Sequence, residues 1–532
     1  MCRFAPCYFP PTEDSTMQHT NNKRTQLQTL RRHAGLARYS KPVRYWVALG
    51  LLLLALPGFA QQEPGHDPTD SEHPTRPLHI SPSSAHTSSY LHNDTSVHKF
   101  REFFSHGHVH GRVRNYFMAT LNYDSLPNHV ANATGGALGY RTAQWHGFQL
   151  GLSGIFTFRT YSHNLTQPDE ISGKTARWEQ QLFDLEDPEN GHDLDRLEEL
   201  YLAWRFGQNG SHIKFGRQDI TSPLMNPQDT RMKPYIFEGL YGEYNEFRFL
   251  ELSLGWFTRT SPRSTVEWFG ITDAIGLYNS GRDIEGNPAH FHGHLNSRGV
   301  VVLGAGFQPR EKLRFQLWNY FIDNLQNTSL LQADYTHTTP SLDYIGGVQY
   351  LHQRAVNQGG STEPEHEYYD PNQTTNLLSG RLGVANSEWT VSANYTRVLA
   401  TGRFLFPREW GREHFYTTIG RGRIEGLGDA ETYMGRFTWH PTGKLRDLNV
   451  EIALGHTNTP AQDNYELNKY GAESWNQFNF DVRYKFHQLL EGLSLRFLYV
   501  HKRHADNDTS TLAKLHNSSH FHHFNFISEI LF

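Results

Sequence analysis

Arg112, Arg114, Arg159, Arg205, Lys214, Arg259, Arg314, Arg381, Arg436, Arg483, Lys485 and Arg496 all stand opposite aromatic and aliphatic neighbours in runs that alternate polar with apolar residues. On strands they would share the polar face. A guanidinium is a planar, permanently charged fork that grips a carboxylate through two parallel hydrogen bonds. A row of such forks along a wet passage would draw in carboxylates and hand an anion from site to site. The competing use is mechanical: each arginine pairs with an inward acid such as Glu199, Glu451 or Asp481 and stiffens the wall. The acids also allow a mixed wall that handles cations.

Other chemistry finds less support. The 32 histidines cluster at His106, His108 and His110, at His290, His292 and His294, and at His516, His520, His522 and His523. On one strand face His106, His108 and His110 are weak candidates for a borderline metal. No H-E-x-x-H pairing accompanies them, so neither a metal site nor a cofactor is expected. Gly151-Leu152-Ser153-Gly154 is only a fragment of a nucleophile elbow, with Ser153 on the polar face, so a barrel enzyme of the phospholipase kind is the weaker reading.

The elements that must carry these side chains alternate with period two. Phe148, Leu150, Leu152, Phe156 and Phe158 oppose Gln149, Ser153, Thr157 and Arg159. Phe478, Phe480, Val482, Tyr484 and Phe486 oppose Gln477, Asn479, Asp481, Arg483 and Lys485. Similar units recur from about residue 108 to the end, each near the length of a tilted membrane strand. Short turns such as 207–210, 309–312 and 489–492 alternate with long polar stretches at 161–196, 262–298, 353–375 and 457–475. An arginine facing lipid costs about 2–4 kcal/mol at mid-membrane, so the cationic face points inward. The expected fold is all-β: a transmembrane antiparallel β-barrel over 106–532 with room for roughly 16 to 20 strands, an even count near 18, with short periplasmic turns and long extracellular or inward loops.

Both ends of the chain fit a route to the outer membrane. Phe524, Phe526, Ile530 and Phe532 share one parity, and a chain stopping on an aromatic suits a closing strand that the barrel-assembly machinery reads through Phe532. Lys41 and Arg44 precede an apolar run, Tyr45 to Leu56, then Gly58 and Ala60, which reads as a secretory signal within residues 1–60 cleaved before Gln61. Its upstream extension is unusual. Cys2 and Cys7 both lie there, so the mature chain has no thiol. Residues 61–105, rich in Pro, Ser and His, read as a disordered periplasmic segment. Without residues 1–60 the chain holds 41 basic and 52 acidic residues, a formal charge of −11, which disfavours nucleic acid as a partner.

Several stretches resemble the OprD-type outer-membrane porins, substrate-selective channels of Gram-negative bacteria. Arg112-Val113-Arg114-Asn115-Tyr116-Phe117 is similar to that family's opening strand. The most specific match runs from Leu200-Tyr201-Leu202 through Lys214-Phe215-Gly216-Arg217-Gln218, Pro223-Leu224-Met225-Asn226, Asp229-Thr230-Arg231-Met232, Pro234 and Phe237-Glu238-Gly239 to Ser261-Pro262-Arg263. Trp318-Asn319-Tyr320, Asp334-Tyr335 and Tyr395-Thr396-Arg397 are similar in spacing. The N-terminal extension, the His-rich loops and the acidity are departures. The resemblance implies a monomeric 18-stranded channel narrowed by inward loops, passing small carboxylate-bearing or amino-acid-like solutes along a basic ladder. Asp219–Lys233, with Asp229 and Arg231, is then the candidate constriction. Transport would be passive; a plugged or structural barrel is the alternative.

Overall fold

The computed structural model describes residues 95–227, 231–487, 490–505, 516 and 518–532. Eighteen antiparallel strands form the wall: β1 His108–Asn122, β2 His129–Arg141, β3 Phe148–His163, β4 Arg196–Phe206, β5 Ser211–Gln218, β6 Ile236–Phe247, β7 Leu250–Ser261, β8 Val300–Arg310 and β9 Leu313–Ile322. The second half is β10 Gln326–Thr338, β11 Asp343–Ala355, β12 Thr374–Ala385, β13 Trp389–Val398, β14 Ala430–Trp439, β15 Leu448–Asn458, β16 Trp475–Lys485, β17 Leu493–His504 and β18 Phe521–Leu531. Each pairs with its sequence neighbour. The sheet closes when β18 pairs with β1, from Arg112↔Leu531 to Asn122↔Phe521. Gly111 and Phe532 exchange two further backbone hydrogen bonds at 2.8 and 3.0 Å. Closure leaves no unpaired edge, which an apolar solvent requires.

Alternation sorts the side chains as expected. Leu382, Phe215 and Leu454 stand outward, while Arg112, Gln149 and Asn479 are buried on the inner face. Short turns sit at one rim: 207–210, 248–249, 311–312 and 339–342. Long connections leave the other: 164–195, 219–235, 262–299, 356–373, 399–429 and 459–474. No described helix is long and apolar enough to cross a membrane.

The reading of 61–105 as disordered fails at its end. Ser96–Val97 pairs with Gln144–Trp145, and a short helix, Phe100–Ser105, follows. Phe103 is buried against Val97 and Ala143, and the Phe100 ring meets Trp145 edge-on at 5.3 Å. Three phenylalanines within five residues supply this packing. Residues 61–94 and the signal region lie outside the described residues.

A wet lumen has no core, but this one does. The 219–235, 262–299 and 399–429 loops bring Leu224, Met225, Ile271, Ile275, Phe404 and Trp410 onto the inner faces of β6 to β13, against Phe237, Phe257, Val300, Tyr320, Leu351 and Val398. A second cluster sets Trp178, Leu182 and Phe183 of the 164–195 loop on Tyr116, Met118, Leu498 and Val500. Met232 belongs to this second cluster and Met225 to the first, so the 219–235 loop joins both.

Candidate functional site

Backbone contacts bring the inward loops together. Asn226 donates through Nδ2 to the Arg412 carbonyl at 2.8 Å, and its backbone N–H donates to the Trp410 carbonyl at 3.3 Å. Between them lies Gly411, at φ +151°; a Cβ there would sit 2.7 Å from the Asn226 nitrogen and 2.8 Å from the Leu224 oxygen. Only glycine allows this approach. The Trp410 indole, fully buried, donates to the Ile271 carbonyl at 3.1 Å and ties in the third loop.

Wall arginines hold these loops. Arg112 donates to the Met232 carbonyl at 3.0 Å, and Arg114 to the Arg231 carbonyl at 2.6 Å as well as to Glu529. Arg159 donates to the Asn190 and Pro188 carbonyls and lies 4.8 Å over the Phe183 ring. Arg196, on the buried face of β4, donates to Pro234, Ser261 and Pro262. Arg231 is buried, at the inward segment where a constriction is expected; Asp229 lies outside the described residues.

The other expected track residues mostly meet acids. Arg314 bonds Glu251 at 2.9 Å, Arg381 bonds Asp334 at 2.9 Å, and Arg483 and Arg496 each reach Asp481 at 2.7 Å. Arg436 donates to the Thr418 carbonyl at 2.7 Å and stands 3.9 Å from Glu451, while Arg259 donates to the Trp268 carbonyl at 3.2 Å. Lys214 lies 5.0 Å over the Tyr201 ring. Arg205 is half-buried near the short-turn rim, and Lys485 ends β16, exposed at the same rim. A continuous row of open guanidinium forks is therefore not what the strand faces present: acids and loop carbonyls take most of them.

A denser cationic group is built by loops. Five arginines punctuate 399–429: Arg403, Arg408, Arg412, Arg421 and Arg423. Arg421 donates to His523 Nε2 and Asn525 Oδ1, both at 2.9 Å, and so reaches the β18 wall. Arg423 faces Glu413 at 3.5 Å, and Arg408 pairs with Glu425 while stacking 4.0 Å over the Tyr470 ring. Tyr470 donates to Glu425 at 2.9 Å. From the 164–195 loop Arg177 lies within electrostatic reach of Arg408, Arg421 and Arg423; burial first, then these neighbours, hold its guanidinium down at about 10. Lys502 of β17 feels Arg177 and Arg408 and sits 3.8 Å over Trp475. Burial lowers Lys469 to about 8 and Lys233 to about 7. Strand parity could not have found this group, because its arginines lie in loops. The arginine density of 399–429 was the available signal.

The metal candidates separate. His108 and His110 share a face with rings 6.3 Å apart, and His106 bonds its neighbour Ser105. Among the described residues the one set of acidic and His ligand atoms close enough for a single ion is Glu363, Glu365 and His366. His366 already bonds Glu363 at 3.0 Å there. Ser153 donates to Glu199 at 3.3 Å on the inner face.

The model of the outer membrane porin, OprD family, matches residues 101–419. The chain belongs to the OprD family. It is thus an outer-membrane β-barrel channel for small solutes, from a family of channels rather than enzymes. Solved structures agree in fold. Pseudomonas aeruginosa OccD3 (OpdP) is 12% identical with a TM-score of 0.59, covering 81% of this chain and 92% of its own. Acinetobacter baumannii OccAB4 is 13% identical with a TM-score of 0.60, covering 80% and 98%. Pseudomonas aeruginosa OccK9 (OpdG) is 14% identical with a TM-score of 0.60, covering 81% and 100%. None of the curated proteins matches it in sequence.

Proposed function

We propose that this OprD-family channel admits small carboxylate-bearing or amino-acid-like solutes by passive diffusion, and that the loop-borne cations Arg177, Arg408, Arg421, Arg423 and Lys502 select them. The observation that carries the reading is the convergence of these cations from two inward loops and the β17 wall in a narrowed lumen. Cations gathered where water is scarce raise the local concentration of anions. The wall arginines act in second place, by holding the loops and balancing inward acids. We further infer a monomer, export by the signal in residues 1–60, and insertion by the barrel-assembly machinery through the Phe532 strand.

The loop core favours a second reading, a barrel plugged at rest. Single-channel recording in a planar bilayer with asymmetric salt separates the two. Small discrete steps with a reversal potential on the anion side support selective uptake. Cation preference removes the basic cluster from the mechanism, and a folded barrel without steps leaves the plugged reading.

A further inference from the structure

The lipid-facing side of the barrel is not uniformly filled. A groove of about 1220 Å³ crosses the outer face from β9 to β17, lined mainly by apolar surface. It follows two hydrogen-bonded rows of the sheet. One runs His501↔Phe478↔Leu454↔Gly435↔Ala393↔Leu382 and on to Gly346. The other runs Arg503↔Asn476↔His456↔Tyr433↔Tyr395↔Gly380.

Its floor is open for no steric reason. A Cβ on Gly435 would meet nothing within 4 Å, one on Gly346 only Leu382 at 3.8 Å, and one on Gly380 only a carbonyl at 4.0 Å. Backbone packing does not demand these glycines, as it does at Gly411; their effect is to leave room. Leu382 and Leu454, largely exposed, rim the space with Tyr433 and Phe478.

One end is polar. His501 and Arg503 lie at the long-loop end of β17, beside Asn476 and His456. The His501 ring stacks on His522 at 4.3 Å, with the His520 ring 6.5 Å away. Arg503 gives this end a permanent positive charge, and imidazole N–H groups add donors. The rest of the groove descends toward the opposite rim, where Leu313 and Tyr335 face each other.

We propose that the groove is a lipid site: it takes an acyl chain of a phosphorylated outer-leaflet lipid, with the phosphate held by Arg503 and the His501 patch. Charge complementarity selects a phosphate at the polar end, and continuity with the lipid-facing band selects an acyl chain along the floor. This rests on the outer-membrane setting of the barrel, not on which solute it passes.

The test is native mass spectrometry of the protein extracted from outer membranes, titrated with diphosphoryl lipid A, its dephosphorylated form, and phosphatidylglycerol. Gly435→Phe fills the floor and Arg503→Gln removes the charge; heat-modifiable gel mobility and conductance confirm that each variant is a folded channel. The wild type retains diphosphoryl lipid A, Arg503→Gln retains it about ten-fold less well, and Gly435→Phe loses it. Equal or better retention of phosphatidylglycerol overturns the assignment to an outer-leaflet lipid. Equal retention by wild type and both variants, retention of the dephosphorylated form as well as the phosphorylated one, or no lipid on the wild type overturns it.

Discussion

The arginines of the strand wall and those of the inward loops carry the same group in different company. On the inner faces of β12, β16 and β17 the guanidinium meets a carboxylate that the alternating pattern places on the same side: Arg381 meets Asp334, and Arg483 and Arg496 both meet Asp481. In the 399–429 and 164–195 loops arginines crowd one another as well as their acids, and Arg177 feels three of them. Wall pairing neutralises and braces; the proposed selectivity rests instead on the field left where the loop cations crowd together. A residue's face tells where its charge points, whereas its partners decide whether that charge is available.

Removing the support that holds the loop group in place should have the largest effect. Trp410→Ala deletes a fully buried indole and should cost about 3–5 kcal/mol of loop packing. Denaturant unfolding would register the loss, and single-channel steps should widen. Unchanged steps would show that the loops do not set the narrowing. Next, Arg177→Gln with Arg421→Gln should lower the anion-to-cation permeability ratio about five-fold, read from the reversal potential. An unshifted reversal potential would move selectivity back to the wall.

Proton titration gives a smaller, graded effect. Burial holds Lys469 near 8 and Lys233 near 7, against an ordinary 10.5. Lowering the pH from 9 to 6 therefore adds positive charge to the loops, and anion preference should rise across that window. Stability runs the other way. The folded loops bind these protons less readily than the unfolded chain, so their packing is firmest above the ordinary lysine value. It weakens as pH falls and reaches its limit below about 7 for Lys233. A flat selectivity profile between 9 and 6 would exclude both lysines from the path. The smallest effect belongs to Arg314→Ala: its partner Glu251 is largely exposed, so stability should change by less than ~1 kcal/mol with selectivity intact.

The strands were legible because period-two alternation needs no knowledge of partners. Most of Phe148–His163 and of Trp475–Lys485 read as strand, although the first runs on past residue 161, where a loop was expected. The inward direction of Arg112, Arg114 and Arg159 was legible on the same ground. Their role as loop anchors was not, since the acceptors are backbone carbonyls at Met232, Arg231 and Asn190, far away in sequence and silent in residue type. The 399–429 loop escaped for the converse reason: it has no periodicity, and its place inside the barrel depends on apolar residues that look ordinary in a row. The Phe100–Ser105 helix was lost in the composition of the segment before it.

The loop core also ties the interior to the seam of the wall. Asn226 and Arg412 are separated by 186 positions, and both lie inside a cylinder completed where Phe521–Leu531, near the end of the chain, docks on His108–Asn122. A fault in that seam would therefore be felt inside the passage as well as in the wall.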